Sequence, residues 1–247
     1  MQFRQGIKKL NVVFEPESSV EYVIQVRRSS KRRTIELRIT AQSEIRVLCP
    51  SAISDQIVLD FVRSKSGWIQ SKLTLNAKRN SIPIPRYEHN SIWRYRGIEL
   101  PLNLEKGDGE VALEPSRLVV RANEFDQPTI EAVLQRWFLN EATTYLTQRT
   151  AYFADVLQLN PTRVQLKTYR SMWGRCNSRG EIAYDWRVIQ APDSVIDYLV
   201  IHELSHLRHF NHSRDFWSLV ASQAPNYRES KQWLRDHASV IKSVFLG

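Results

Sequence analysis

Two histidines stand four residues apart, His202 and His206, with Glu203 beside the first, and the chain around them repeats with helical period. Val195, Ile196, Leu199, Val200, Leu204 and Leu207 recur at three-to-four spacing. That spacing predicts a helix beginning after Pro192, buried along one side, with Asp193 as its N-cap. Side chains four apart on a helix stand one above the other, so both imidazoles can reach one ion. Glu203 is offset by about 100° from His202, toward the side where a coordinated water can lie. The pattern is H-E-x-x-H. Zinc held by such histidines acidifies its water and polarises a carbonyl. The glutamate accepts the water's proton and can pass it to a leaving amine. The plainer alternative is a pair of surface histidines on an ordinary amphipathic helix.

Four of the six histidines fall between 202 and 212, so a third ligand has two nearby candidates, His209 and His212. His209 lies seven residues from His202, about 10.5 Å along a continuing helix at ~1.5 Å per residue. With zinc–nitrogen bonds of about 2.1 Å, one ion does not easily hold both ends of that span. His212 follows Asn211, a residue that tolerates a helix-ending turn, and can approach the ion from a new direction. His212 is therefore the favoured third ligand, with His209 at the rim. An acidic or histidine ligand from elsewhere, or Cys176, remains open. Three imidazoles and an open position suit catalytic zinc, although other divalent first-row ions could bind the same set. Asp185 and Asp215 are candidates to orient the histidines. Arg170, Arg175, His209 and Tyr227 are candidates to hold a substrate carbonyl or developing oxyanion. The predicted strand 181–188 is the candidate edge for an extended peptide.

The rest of the chain predicts an α+β protein. Residues 20–26, 34–40 and 44–48 read as strands, and apolar spacing predicts one helix from about 54 to 73. Residues 76–90, with Pro83 and Pro85, read as a linker. Short strands are expected near 92–95, 98–102 and 117–121, and a turn at 107–110. A long helix runs from Pro128 to before Pro161, with an interruption expected around 147–150. A strand is expected at 164–167. Asn226 and Glu229 resemble a capping box for a last helix to about 244. The domains so read are a basic β-rich unit with one helix (1–80), a connecting β-rich segment (81–127) and a catalytic domain (128–247).

Charge is uneven. The net is +9 overall, yet residues 1–80 carry 15 basic and 7 acidic side chains, a net of +8. The excess is densest at Arg27, Arg28, Lys31, Arg32 and Arg33. Such a run can associate weakly with nucleic acid or another polyanion, or simply be a solvated turn between strands. Two cysteines, Cys49 and Cys176, exclude a disulfide framework and a four-thiolate metal site. No apolar run nears the roughly 18 residues of a membrane span, and the first residues lack a secretory apolar stretch. A cytoplasmic location is expected.

A longer set of residues carries a resemblance. Arg170-Ser171-Met172-Trp173-Gly174-Arg175-Cys176 is followed by Gly180, Ile182 and Asp185, then Ala191-Pro192-Asp193, Ile196-Asp197-Tyr198-Leu199-Val200, the 202–207 motif, Asn211-His212-Ser213 and Phe216-Trp217. In these, and in Arg27-Arg28-Ser29, Arg32-Arg33 and Trp68-Ile69, the chain resembles the YgjP-like family of metal-dependent hydrolases (domain of unknown function 45). That family is similar to the SprT-like and minimal gluzincin-type zinc peptidases. The resemblance implies a zincin-like core with His202, His206 and His212 as zinc ligands and Glu203 as base. Arg175 stands where the family usually has serine, and Asp185 where it usually has asparagine. The related SprT-like proteins are associated with cleaving proteins crosslinked to DNA. A bland reading also exists for two residues, Trp173 as a core anchor and Gly174 as a tight-turn glycine.

The leading functional expectation is a zinc-dependent peptidase acting on a peptide or protein. The alternatives are a metal-dependent hydrolase of a non-peptide bond, and a nucleic-acid-associated module with a non-catalytic metal site.

Overall fold

In the computed structural model, which describes residues 7–14 and 20–245, the chain divides into two units, Met1–Ile82 and Pro83–Gly247. The class is α+β in both. The first unit contains β1 (Lys8–Val13), β2 (Glu21–Ser29), β3 (Glu36–Ile39), β4 (Ile45–Pro50), α1 (Asp55–Arg63) and α2 (Ser66–Asn80). Its sheet has the order β1-β2-β4-β3, with β2 and β4 parallel at the centre and antiparallel partners outside. Alternate residues Ile24, Val26, Ile45, Val47 and Cys49 face a core closed by Val58, Val62 and Ile69 of the helices.

One helix expected over 54–73 is two. The chain breaks at Ser64–Lys65, where the Ser64 hydroxyl donates to the Phe61 carbonyl and competes with continuation of the helix. The break lets α1 and α2 each turn apolar residues inward. The basic run is partly spent inside this unit. Arg28 donates to Asp55 Oδ1 at 2.7 Å and to the Ile53 carbonyl, and Arg32 pairs with Glu36. Arg27, Lys31 and Arg33 are exposed and pair with no acid among the described residues.

The second unit begins with a sheet of the same strand order. Its strands are β5 (Ile92–Tyr95), β6 (Ile98–Lys106), β7 (Glu110–Glu114) and β8 (Arg117–Ala122), arranged β5-β6-β8-β7 with β6 and β8 parallel. The segment 81–127, read from sequence as a connector, lies within this unit, and Trp93, Leu100, Leu102, Leu118 and Val120 belong to its core. Helix α3 (Gln127–Leu157) runs for 31 residues. Asp126 caps it by accepting from the Thr129 N–H, and Gln158 ends it in the left-handed region. The interruption expected around 147–150 does not occur. Thr150 is buried, and its hydroxyl bonds the Leu146 carbonyl and lies 3.1 Å from the Tyr184 hydroxyl, so the polar residue is satisfied inside an unbroken helix.

Three short strands follow: β9 (Arg163–Lys167), β10 (Gly174–Cys176) and β11 (Glu181–Asp185). Their order is β10-β11-β9, with β11 parallel to β9 and antiparallel to β10. A 3₁₀ turn over Trp186–Gln190 leads to α4 (Asp193–Ser205), and α5 (Arg214–Gln223) and α6 (Tyr227–Ile241) complete the unit. Asp193 is not the N-cap of α4, which is Pro192, a residue with no side chain to cap with. Asp193 instead accepts two bonds from Arg96, at 2.8 and 2.6 Å. Arg96 and Gly97 form the β5–β6 turn, both with positive φ, and their N–H groups donate to the carbonyls of Ile189 and Gln190. A methyl group at position 97 would lie 2.9 Å from Pro192 Cα. The hairpin tip therefore grips the entrance of α4, and only glycine allows the approach. Arg149 of α3 holds the next turn through Asp197 at 2.6 and 2.9 Å. The capping box expected for α6 does not form: Asn226 makes no side-chain cap bond.

Candidate metal centre

Helix α4 ends at Ser205, with His206 as its C-cap. The chain then turns through 207–212 and re-enters a helix at α5, where the Ser213 hydroxyl accepts from the Phe216 N–H. This reversal decides the fate of the later histidines. His209 lies beyond the helix end, so it does not continue the helical face of His202. His212 is carried back over the helix. The rings of His202, His206 and His212 gather with ligand atoms all within 4.8 Å of one another. Nε2 of His202 is 3.2 Å from Nε2 of His212.

Each ring is held differently. Nδ1 of His206 is 3.1 Å from the His209 carbonyl. A carbonyl only accepts, so Nδ1 carries the proton and Nε2 keeps its lone pair for the cluster. His209 thus contributes its backbone, and its ring is not one of the three. His212 lies against the Trp217 ring, centroids 5.6 Å apart at 23°. Trp217 in turn stacks on Tyr227 at 4.9 Å and 20°. The buried Phe216 ring touches all three imidazoles, with centroids 5.0, 4.6 and 4.8 Å away. Nδ1 of His202 is buried with no hydrogen-bond partner among the described residues. Burial, then the neighbouring His206 and His212, pushes His202 down to about 3, so it is neutral at ordinary pH. His206 is also lowered, chiefly by burial. Neutral imidazoles are the form that binds metal.

Glu203 lies next to His202 at the wall of the same cleft, which has a volume of about 620 Å³. It is only 4% exposed. Burial pushes its carboxyl up to about 8, against a hydrogen bond from the Cys176 backbone N–H that lowers it. Gly174 faces it: a methyl group there would lie 2.5 Å from Glu203 Oε1 and 2.8 Å from its Cδ and Cγ. Gly174 does not have a positive φ, so it serves no tight turn. It is glycine because the glutamate occupies the space a side chain would take. Trp173 lines the cleft with it and is half-buried.

Other sequence candidates fall elsewhere. Asp185 is fully buried and touches none of the three histidines. It accepts from Arg187 at 2.9 and 2.8 Å, from Lys242 at 2.6 Å and from the Tyr169 N–H at 3.2 Å. Lys242 also donates to the Met172 carbonyl and covers the Trp173 ring at 4.0 Å. The cluster thereby fixes the 169–173 segment that delivers Gly174. Asp215 is exposed in the first turn of α5. Arg170 and Arg175 are exposed and do not line the cleft. The strand 181–188 ends as β11 at Asp185 and lies inside its sheet, so the edge beside the cleft is β10 instead. The Cys176 thiol is outside the histidine cluster, and burial, then the Glu203 charge, pushes it up to about 11. Among the described residues, no helix is long and apolar enough to cross a membrane.

Phe216 belongs to the hydrophobic core and Trp217 packs against it, and both rings also touch the histidine cluster. Their signal was the helix cap at Ser213, which fixes Phe216 and Trp217 one turn past His212.

Comparison with known proteins gives two likenesses. The model of the YgjP-like metallopeptidase domain matches residues 33–237. Among solved structures, the chain is similar to the crystal structure of the metallopeptidase zymogen of Pyrococcus abyssi abylysin. The identity is 23%, over 38% of this chain and 94% of that one, with a TM-score of 0.34. No curated protein matches.

Proposed function

This chain belongs to the YgjP-like family of metallopeptidase domains, and we propose that it is a zinc-dependent peptidase in which His202, His206 and His212 hold the ion and Glu203 is the general base. The observation that carries the reading is the convergence of three imidazoles beside one buried carboxyl in an open cleft. The donor set suits the ion. Two nitrogens bound at ~2.05 Å in a tetrahedral zinc site lie about 3.3 Å apart, and the His202 and His212 Nε2 atoms are 3.2 Å apart. The three rings offer only nitrogen donors, and no fourth protein ligand joins them among the described residues. An open position of that kind distinguishes catalytic from structural zinc.

Zinc bound there supplies Lewis acidity, which acidifies water and polarises a substrate carbonyl. The chain supplies the rest. The His209 carbonyl fixes the His206 tautomer and aims Nε2 inward. Phe216 keeps the three rings on an apolar floor. Glu203 takes a proton at its carboxylate and delivers it to the departing amine. Its place in the wall of the cleft beside the histidines puts it within reach of both transfers. Gly174 leaves it room, and the Cys176 N–H holds one side of it. The substrate is an extended peptide, because the start of edge strand β10 walls the cleft.

Zinc per chain, measured by elemental mass spectrometry on wild type and His212→Ala, tests the ligand set. About one zinc in wild type and a large loss in the variant are expected. Peptide hydrolysis by Glu203→Gln with zinc retained tests the base. Removing a general base costs about 10²–10⁴-fold, and full activity in that variant would show that Glu203 is not the base.

A further inference from the structure

We infer that the cleft contains a carboxylate-binding subsite formed by Lys231 and Arg235 of α6, and that the peptide it takes carries an acidic group beside the scissile bond. The inference rests on the peptidase reading for the identity of the ligand as a peptide, but not for the binding chemistry. Lys231 and Arg235 are one helical turn apart, on the same face of α6, and both line the cleft that contains His202 and Glu203. Both are exposed, and neither pairs with an acid among the described residues. Most other arginines that the structure holds in place are matched with Asp or Glu, as Arg96, Arg149 and Arg187 are. Among the described residues, the only acidic one lining the cleft is Glu203, which is committed to the β10 backbone and the histidine side.

One of the two cations, Lys231, is placed rather than merely present. The Lys231 ammonium lies 4.7 Å over the Trp217 ring. An aromatic face attracts a cation and narrows its wandering. The same Trp217 ring stacks on His212. The ammonium is therefore two ring contacts from the histidine cluster. Leu234 and Leu199 line the cleft with the cations, giving an apolar surface beneath a positive rim. A side chain or chain end with a short apolar stem and a carboxylate matches that surface. Arginine binds a carboxylate through two parallel N–H bonds, and lysine adds a point charge. An internal Asp or Glu and a C-terminal carboxylate present the same chemistry.

The test uses the full chain as purified, with its zinc content recorded. Calorimetric titration compares N-acetylated, C-terminally amidated hexapeptides carrying one Glu at each position in turn with their Gln counterparts. A neutral hexapeptide with a free C-terminus is compared with its amide. Cleavage of the same peptides is followed separately by mass spectrometry. We expect one or two Glu positions, or the free terminus, to bind about tenfold tighter than the neutral partner, the scale of one charge-assisted contact. High salt should erase most of that ratio. Lys231→Gln/Arg235→Gln should bring it near one, and Lys231→Glu/Arg235→Glu should turn the preference toward a Lys peptide. Which peptides show the ratio separates a side-chain source from a chain end. Equal affinity for charged and neutral peptides, no binding of either, or a preference that survives both double variants overturns the inference. A preference with no cleavage of any peptide upholds the subsite and counts against the peptidase reading.

Discussion

Gly174→Ala is the smallest change that reaches Glu203 without touching it. The added methyl would lie 2.8 Å from Cγ and Cδ and 2.5 Å from Oε1, while ordinary contact begins at 3.4 Å. The glutamate must therefore withdraw by about 0.6 Å at Cγ and about 0.9 Å at Oε1, or the strand must move. The carboxyl is buried, so it cannot swing freely into water. A misplacement of about 1 Å costs about 10²-fold in rate, and an extra methyl in a packed place costs about 1–3 kcal/mol of stability. The expected result is a loss of about 100-fold in kcat/KM for peptide hydrolysis, with zinc per chain unchanged. The loss should vanish in the background of Glu203→Gln, because both changes act through one group and cannot add. Wild-type rates in Gly174→Ala, or a full further loss in the double variant, would refute the reasoning.

Three more expectations concern the groups around the site. Asp185→Asn leaves Arg187 and Lys242 without their buried acid and should cost about 3–5 kcal/mol in denaturant unfolding; a cost near zero refutes the clamp. Burial alone would raise the Asp185 pKa, but bonds from Arg187 and Lys242 outweigh it and lower it. Its contribution is therefore present above about pH 4 and lost as pH falls through the lowered native value, so Asp185→Asn should flatten acid unfolding below about pH 4. In zinc-free protein, burial raises Glu203 to about 8. A raised carboxyl stabilises the fold below its unfolded value of about 4.3 and loses that contribution as pH rises toward the native value. The stability of Glu203→Gln relative to wild type should thus grow between those limits and level off above about pH 8; a pH-independent difference counts against the burial account. Phe216→Ala removes the floor under three imidazoles and should cost about 3–5 kcal/mol, with weaker zinc retention against a chelator; unchanged retention shows that the rings hold themselves.

The elements that strong periodicity marks were legible: the site helix α4, the long helix α3, and strands near 92–95, 98–102 and 117–121. Period fails where elements are short. Strand β10 has three residues, too few to alternate visibly, and it is the strand that meets Glu203. Local chemistry also misled where distant partners compete. Asp193 looked like a cap and Asn226 like half of a capping box, but Arg96 takes the first, and the second makes no side-chain cap bond. Asp185 was read as a partner for histidine, yet two cations from its own neighbourhood and from the end of α6 claim it. The need for glycine at 174 was invisible, because its cause stands 29 positions later in the chain. His202, Glu203 and His206 were readable because helix geometry alone aligns them. The return of His212 depended on where α4 stops, which a turn residue at Asn211 could only suggest.

The grip of the β5–β6 turn on Pro192 and Asp193 gives the site helix the mechanics of a lever. Its pivot is the Arg96–Gly97 tip, and the first histidine pair sits at the far end of the arm, packed against its neighbours. Asp193 to His206 spans thirteen residues, about 20 Å of helix, so a tilt of about 3° at the pivot swings the imidazoles by about 1 Å. A shift of that size is half a metal–ligand bond, at ~2.0–2.1 Å each. Substitutions at the hairpin tip, far from the histidines, are therefore expected to lower metal affinity.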